Sequence, residues 1–287
     1  MQLTPNPLPL IGRFESATRR IRRRLGLPHV VHLGIGDERF KYRTDRGDAL
    51  YLRTADWNLG GWERLPRQLF AKIAKDSRTV LDVGSYSGIY ALIALAASSQ
   101  CVVHAFEPMP ANFARVRQNL RLNHRSASNR YLLHQVALSN LTTNRMIYAG
   151  SEPELSTASL EREFNEAVVS ETPVSAVKLD DLRLANVDLM KIDVEGHESQ
   201  VLEGGRELLT RDAPVVLFES LADEQLDRCK IVFESAGYSQ IVEIDRRKRV
   251  FAAIPPLRGN HNVLREHLFG FCRNENLSIL SIDSQES

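Results

Sequence analysis

The stretch TVLDVGSYSGIYALIALAAS, residues 79–98, joins two different patterns across a short turn. Residues 79–84 are a short apolar run that ends at a glycine, as a buried strand does, and residues 88–98 are typical of a helix. Gly84 allows a tight turn and lets a ligand approach the backbone closely. The stretch therefore predicts a strand, a tight turn and a helix, in that order.

The same alternation of strands and helices continues toward the C-terminus. The further predicted strands are residues 101–107, 131–139, 187–194 and 214–220, and the further predicted helices are residues 111–123, 201–210 and 221–237. Residues 238–244 and 249–254 predict a closing hairpin. Apolar strands separated by helices favour a parallel sheet that is covered on both faces. We therefore predict an α/β fold with one antiparallel strand near its end.

The chain is predicted to have three parts. They are an N-terminal entry segment and cap (1–78), a main domain (79–260) and a C-terminal tail (261–287). In the cap, the alternation in 40–53 predicts a hairpin that turns at Asp45-Arg46-Gly47, and the apolar spacing in 65–75 predicts a helix. The polar segment 150–172 interrupts the main domain, and we expect it to be an excursion or lid.

The composition is that of an ordinary globular protein, with 43% hydrophobic and 25% charged residues. The net charge of +1 creates no overall field toward nucleic acid, so no nucleic-acid partner is expected. One local exception is the run Arg19–Arg24, which has five arginines in six residues. Such a run is typical of a solvated helix face, and it also fits a peripheral contact with anionic lipid or a polyanionic partner.

The cysteine spacing and the length of the apolar runs indicate the cellular compartment of the protein. The three cysteines are far apart, which argues against a disulfide scaffold and against structural zinc. The longest apolar segment, residues 90–97, is too short to span a membrane, and the N-terminus lacks the pattern of a signal peptide. The sequence thus predicts a cytoplasmic protein.

Acidic residues stand at the ends of three predicted strands. Asp82, Glu107 and Asp193 each close an apolar run. In an open parallel sheet, ligands bind outside the carboxyl ends of the strands, where the strand order reverses. The three carboxylates are therefore expected at one ligand site.

The turn after the first of these strands indicates the kind of ligand. Gly84 and Gly88 are spaced Gly-x-x-x-Gly instead of the GxGxxG of a nicotinamide enzyme, and Asp82 lies beside them. A pyrophosphate would be repelled by Asp82, whereas a ligand with an amino group and a sulfonium centre would not. Glu107, about 20 residues further on, is placed to bind a ribose diol. These charges favour S-adenosylmethionine over NAD.

Five motifs in this order resemble those of the FkbM-type S-adenosylmethionine-dependent methyltransferases. They are LDVGSYSGIYAL, VHAFEPMPANFARVRQNL, VKLDDL, DLMKIDVEGHESQVLEGG and PVVLFE, within residues 79–220. The resemblance implies a Rossmann-like class I methyltransferase fold, a mostly parallel seven-stranded sheet with one antiparallel strand in a C-terminal hairpin and helices on both faces. It also implies O-methylation of a hydroxyl on a small metabolite, sugar or glycan.

The resemblance also implies roles for residues in the cofactor site. Asp82, Gly84 and Gly88 would surround the methionine part of S-adenosylmethionine, Glu107 would bind its ribose hydroxyls, and Asp193 would lie beside the transferred methyl group. The loop between the glycines reads Ser85-Tyr86-Ser87, whereas the family usually has asparagine and isoleucine there. Ser85 and Tyr86 are thus also expected at the cofactor, where the bulky Tyr86 narrows or covers the pocket.

The stretch VDLMKIDVEGHE, residues 187–198, is expected to carry the chemistry. A hydroxyl acceptor must lose a proton, and His197 is the candidate base because a histidine titrates near neutral pH. Glu195 would orient His197, and Asp193 would hold the cofactor amino group or the acceptor hydroxyl. A magnesium site on these residues is the alternative, although the turn at Gly196 argues against it, so no metal is assigned. Glu219 could join either scheme.

Two other functions stay open at this point. One is a methyltransferase for a macromolecule recruited through the arginine run, and the other is an inactive module that retains the cofactor site. An Asn/Asp-Pro-Pro-aromatic tetrapeptide, which would indicate a nitrogen acceptor, does not occur. The acceptor itself is not indicated, although Trp57 and Trp62 could stack on a sugar or pack on the core.

Overall fold

The computed structural model describes residues 29–44, 63–123, 129–150, 158–164, 168–256 and 262–282. The strands in these ranges are β1 (His29–Ile35), β2 (Glu38–Thr44), β3 (Thr79–Val83), β4 (Val102–Phe106), β5 (Tyr131–His134), β6 (Ala137–Leu138), β7 (Thr143–Ala149), β8 (Ser170–Val177), β9 (Val187–Ile192), β10 (Val215–Glu219), β11 (Gln240–Asp245), β12 (Val250–Ile254) and β13 (Ile279–Ser281). The α-helices are α1 (Arg64–Ala74), α2 (Ile89–Ala97), α3 (Pro110–Asn123), α4 (Glu198–Gly204), α5 (Arg206–Asp212), α6 (Asp223–Ser235) and α7 (Asn262–Glu275).

The main sheet has eight strands in the order β13-β11-β12-β10-β9-β3-β4-β5. Strands β5, β4, β3, β9 and β10 pair in parallel, and β12 runs antiparallel to both of its neighbours. This arrangement confirms the predicted Rossmann-like class I methyltransferase fold. All seven predicted strands are present, and the short β13 adds an eighth that is antiparallel to β11. The strand order reverses between β3 and β9, so ligands are expected at their carboxyl ends.

Both faces of this sheet are buried, which explains its nearly continuous apolar strands. Val80 of β3 packs into a core with α1, α2 and α3, and its neighbour Leu81 packs into a second core with α4, α5 and α6. Strand β9 is buried along its whole length, including the charged Asp188 and Lys191. Burial of Lys191 in a central strand is costly and calls for a partner.

A second sheet of three strands lies beside the carboxyl edge of the main sheet. Its order is β6-β8-β7, and it has a small core that includes Ile147, Leu160 and Ala176. The single strand predicted over 131–139 is wrong in this respect, because the chain turns after β5 and β6 pairs with β8 instead. The described part of the predicted excursion, residues 158–164 and 168–172, belongs to this region, and β8 begins within it.

The N-terminal hairpin is formed by β1 and β2, which pair antiparallel around Gly36-Asp37. The strand predicted at the start of 40–53 is present over 40–44 as part of β2, and it pairs with the preceding strand, which was not predicted. The turn predicted at 45–47 lies outside the described residues. Side chains of this hairpin lie in the same core as α1, α2 and α3, and the boundary at residue 78 stays a prediction.

Two asparagines of α3 fasten the hairpin to the main domain. Asn123 Nδ2 donates to the Lys41 carbonyl and its Oδ1 accepts from the Lys41 amide, both at 2.7 Å. Asn119 Oδ1 accepts from the Arg43 amide at 2.7 Å, and its Nδ2 donates to the Ser87 carbonyl at 2.9 Å. Asn119 thereby connects the N-terminal hairpin to the turn after β3.

Other predictions have mixed outcomes. The helix predicted over 201–210 is two short helices, α4 and α5, which meet at Gly205. The backbone of Gly205 departs from helical geometry, with φ of −115° and ψ of 19°. Some residues discussed in the sequence analysis lie outside the described residues, namely Arg19–Arg24, Trp57 and Trp62.

Among the helices of the described ranges, we find none with the length and apolar character needed to cross a membrane.

Candidate active site

A cleft opens at the carboxyl ends of β3, β4 and β9. One wall is formed by the turns after these strands, with Gly84, Glu107 and Asp193, and the other by the three-stranded sheet and its neighbour Leu160. This position is typical of a small-molecule site. The structure thus brings together most of the residues predicted for the cofactor and for catalysis.

Gly84 has no room for a side chain. Its φ is +78°, and a Cβ at this position would lie 1.8 Å from the Asp193 carbonyl oxygen. The amides of Gly84 and Ser85 both donate to the Phe106 carbonyl at 3.0 Å. The turn is therefore pressed against the ends of β4 and β9 at once. Gly88, with φ of +80°, then starts α2.

Tyr86 lies in the left-handed region, with φ of +49°, and lines the cleft. The guanidinium of Arg115 is 5.1 Å from the centre of its ring. Left-handed backbone is unfavourable for a bulky residue, so the neighbouring contacts must hold it there. The sequence prediction that Tyr86 narrows the pocket is consistent with this place on the wall.

Asp82 and Glu107, the two predicted cofactor carboxylates, are placed differently. Asp82 is buried, and its Oδ2 accepts from the Ala91 amide in the first turn of α2 at 3.0 Å. Burial raises its pKa to about 6, although the Ala91 hydrogen bond favours the charged form. Asp82 does not contribute to the cleft wall, whereas Glu107 does. Asp82 is thus placed to hold α2 against the turn.

Glu107 is held by backbone amides on both sides. Its Oε2 accepts from the Tyr86 amide at 2.8 Å, and its Oε1 accepts from the Met109 amide at 2.9 Å. Burial nevertheless raises the pKa of Glu107 to about 7. A carboxylate has about four lone-pair positions, so Glu107 retains capacity to accept from a ligand hydroxyl.

The turn after β9 is shaped by Glu198, which the sequence analysis did not assign. Its Oε1 accepts from the amides of Val194 at 3.1 Å and Gly196 at 3.3 Å, and its Oε2 accepts from Gln225 Nε2 at 2.6 Å. Glu195 takes φ of +53° within this turn. Asp193, Glu195 and His197 all line the same cleft.

His197 has both ring nitrogens engaged. Nδ1 lies 2.6 Å from Glu161 Oε1, and Nε2 lies 2.9 Å from Ser139 Oγ. The His197 side chain is only 1% exposed, and Ser139 is fully buried. An acceptor hydroxyl could reach Nε2 only by displacing Ser139. With both nitrogens occupied, His197 is better suited to link the turn after β9 to residues 158–164 than to act as a general base.

The pKa values of Asp193 and Glu195 are shifted in opposite directions. Burial alone would raise the pKa of Asp193, but the nearby Lys191 ammonium lowers it overall. Burial raises the pKa of Glu195 to about 8, and the charge of Asp193 adds to this effect. The cleft therefore holds one carboxylate that stays charged and one that titrates close to neutral pH.

The described residues contain no group of three or more histidine, cysteine, aspartate or glutamate side chains arranged to hold a metal ion. Lys191, for which no role was predicted, is the charged partner of Asp193. In the sequence, Lys191 stands out only as a single cation within an apolar run. Glu161 and Ser139 gave no such signal, because they lie 36 and 58 positions away from His197.

Comparison with known proteins gives a family match and two relatives. A family model described as a methyltransferase FkbM domain matches residues 82–254. The 31-O-demethyl-FK506 methyltransferase FkbM of Streptomyces tacrolimicus is 30% identical over 205 residues, which cover 61% of this chain and 71% of the relative. The 2-O-methyltransferase NoeI of Sinorhizobium fredii is 27% identical over 180 residues, which cover 57% and 71% of the two chains.

Among solved structures, the methyltransferase FkbM from Methylobacillus flagellatus is similar with a TM-score of 0.48 and 16% identity. The match covers 62% of this chain and 44% of that one. The present chain thus spans less than half of that solved structure.

Proposed function

The chain belongs to the FkbM family of S-adenosylmethionine-dependent methyltransferases, and we propose that it methylates a hydroxyl oxygen of a small metabolite, sugar or glycan. The observation that carries this proposal is the cleft at the switch point of the sheet, where Gly84, Glu107 and Asp193 meet. The two relatives support an oxygen acceptor, because their names describe O-methylation. The acceptor of this chain is a matter for experiment.

The residues present fit S-adenosylmethionine. The backbone of Gly84 borders the cleft without a side chain, so a ligand can lie directly on it. Glu107 would accept hydrogen bonds from the ribose hydroxyls, and Tyr86 would cover the same end of the ligand. When bound, S-adenosylmethionine supplies a methyl group activated by a sulfonium charge.

The acceptor hydroxyl would be handled by the two carboxylates after β9. Asp193 stays charged and would orient the hydroxyl by accepting its hydrogen bond. Glu195 is the better proton acceptor, because a base with a pKa near the working pH combines availability with strength. We assign His197 to holding the wall instead, since Ser139 and Glu161 occupy its nitrogens.

The cofactor assignment is tested with Glu107→Gln. Calorimetry with S-adenosylmethionine should show a loss of about 2 kcal/mol, roughly 30-fold in affinity, because charge-assisted hydrogen bonds are removed. Glu207→Gln, at an exposed position on α5, is the matched control and should bind like wild type. Unchanged affinity in a folded Glu107→Gln protein would contradict the assignment.

The acceptor class is tested by transfer of labelled methyl groups from S-adenosylmethionine. The panel contains sugars, polyols and macrolide alcohols, with amines and proteins as the competing classes. Label on alcohols alone is the expected outcome. Label on amines or proteins with none on alcohols would reject O-methylation of small molecules and leave the methyltransferase assignment intact.

A further inference from the structure

The ammonium of Lys191 is buried in the centre of the main sheet. Its side chain is 1% exposed, and every other residue of β9 is buried as well. Removing an ammonium from water costs several kcal/mol unless nearby charges compensate it. A lysine in this position must therefore be held by specific partners, and these lie toward the cleft.

The contacts of Lys191 form a chain from the cleft to the N-terminal part of the protein. Nζ donates to Asp193 Oδ2 at 3.1 Å and lies 5.3 Å from the centre of the Tyr90 ring. The Tyr90 hydroxyl donates to Glu63 Oε2 at 2.6 Å, and Glu63 is itself buried. Asp193 is the member of this chain that reaches the cleft, with 26% of its side chain exposed.

We propose that Lys191 is a positioning residue, whose ammonium fixes Oδ2 of Asp193 and keeps the other carboxylate oxygen charged and directed to the acceptor. This inference rests on the proposed function. Lys191 touches neither the cleft nor the reacting atoms, so it acts only through Asp193. Tyr90 provides an aromatic face for the same ammonium, which favours a fixed position.

The charged groups around Asp193 come from seven parts of the chain. They are Glu63 before α1, Asp82 of β3, Lys191 of β9, Glu195 of the turn after β9, Glu198 of α4, Glu219 of β10, and Lys248 of the turn between β11 and β12. The carboxylates outnumber the cations in this set. Without Lys191, the negative neighbours would favour protonation of Asp193.

Glu219 at the end of β10 is a further carboxyl group beside Asp193. Burial and the charge of Asp193 raise the pKa of Glu219 to about 10, which favours its uncharged form. The Lys191 ammonium donates to Asp193 Oδ2 at 3.1 Å and so favours the charged form of Asp193. The charge stays on Asp193, the one that lines the cleft.

The test follows the Asp193 carboxyl carbon by NMR through a pH titration of the whole chain, with Asp193→Asn to assign the signal. In Lys191→Met, the pKa of Asp193 should move to higher pH. The matched control is Lys230→Met, which breaks an exposed pair of similar length, Lys230 Nζ to Asp227 Oδ1 at 3.0 Å. The control should leave the Asp193 titration unchanged.

A double-mutant cycle shows whether Lys191 acts through Asp193, and the pH profile of turnover is the readout that a merely structural lysine would not move. If Lys191 acts through Asp193, the drop in unfolding free energy caused by Lys191→Met should shrink in the Asp193→Asn background. Equal losses in both backgrounds, together with an unmoved Asp193 titration, would overturn the proposal. If Lys191→Met does not fold, the wild-type titration decides, and an ordinary or raised pKa of Asp193 overturns it.

The outcome is separable from that of the proposed function. Absence of S-adenosylmethionine binding by the wild-type protein would reject the function, while the titration of Asp193 would still test Lys191. With an alcohol acceptor in hand, Lys191→Met should also show an acid limb of kcat/KM at higher pH than wild type, since Asp193 then loses its charge earlier.

Discussion

Two acidic regions border the cleft, and their carboxylates are fixed in different ways. On the cofactor side, Asp82 and Glu107 accept from backbone amides, so their oxygens hold the shape of the turn after β3. On the acceptor side, Glu198 holds the backbone, and Asp193 is bonded to the side chain of Lys191 instead. The comparison shows that the amide-bound carboxylates set the shape of the turn, with Glu107 also facing the cleft, whereas the charge of Asp193 is stabilised by a buried ammonium.

The largest loss of stability is expected at Gly84, where the turn after β3 contacts Asp193 of the acceptor side. Gly84→Ala places a Cβ against the Asp193 carbonyl and forces alanine into left-handed backbone, which should cost about 3 kcal/mol or more of unfolding free energy. Urea unfolding measures this loss, and calorimetry should show no binding of S-adenosylmethionine. Gly36→Ala is the matched control, because Gly36 also has a positive φ but open space around it. It should cost only about 1 kcal/mol, and equal costs would show that the contact with Asp193 is unimportant.

The second effect concerns the chemistry of the acceptor side. Glu195→Gln should lower turnover roughly 100-fold, the size expected for loss of a general base. Wild-type turnover should rise with pH until Glu195 has lost its proton at about pH 8, because a base works only when deprotonated. Stability near neutral pH should stay within about 0.5 kcal/mol of wild type, since the carboxyl that is replaced is largely uncharged there. Full turnover in Glu195→Gln would move the base elsewhere, with His197 next in line.

The third effect distinguishes a structural role of His197, as a link to Ser139 and Glu161, from a role as general base. His197→Ala leaves the buried Ser139 hydroxyl and Glu161 without their partner, and we expect a loss of about 2 kcal/mol in unfolding free energy. The affinity for S-adenosylmethionine should change little. His267→Ala breaks an exposed bond of the same 2.6 Å length to Asp76 and should cost less than about 1 kcal/mol. A His197→Ala protein with wild-type stability and no turnover would restore the general-base assignment.

The smallest expected effect is a pH dependence of the affinity for S-adenosylmethionine, which tests the cofactor side. The pKa of Glu107 is raised to about 7, and its ionised form is the better acceptor for ribose hydroxyls. Affinity for S-adenosylmethionine should therefore fall as the carboxyl gains a proton, by about tenfold between pH 8 and pH 6. Calorimetry at several pH values measures the slope. Glu107→Gln cannot titrate and should give a flat profile, so a slope that persists in this variant belongs to another group.

The order of strands and helices could be predicted from the sequence, and so could the turn after β3. The apolar runs that end at Asp82, Glu107 and Asp193 correspond to β3, β4 and β9, because each run is a buried strand of the parallel sheet. Local patterns suffice for such elements. The predicted positions of Gly84 and Glu107 on one cleft follow from the same topology.

Features that depend on distant contacts were missed. Gly204 packs against the Ser139 carbonyl, 65 positions away in the chain, and the helical periodicity contains no trace of that contact. The partners of His197 could not be predicted for the same reason, because they come from distant parts of the chain. Short strands such as β6, with two residues, also lack any periodic signal.

The hairpin of β1 and β2 lies outside the segment that matches the family model, yet its side chains Val31, Leu33, Phe40 and Tyr42 complete the core under α2 and α3. A chain shortened to the matched segment would expose that core and leave Asn119 and Asn123 facing water instead of the amides and carbonyl of β2. The hairpin and the cofactor turn therefore belong to one cooperative folding unit. Backbone amides of β2 should exchange with solvent deuterium as slowly as those of β3, through global opening of the molecule.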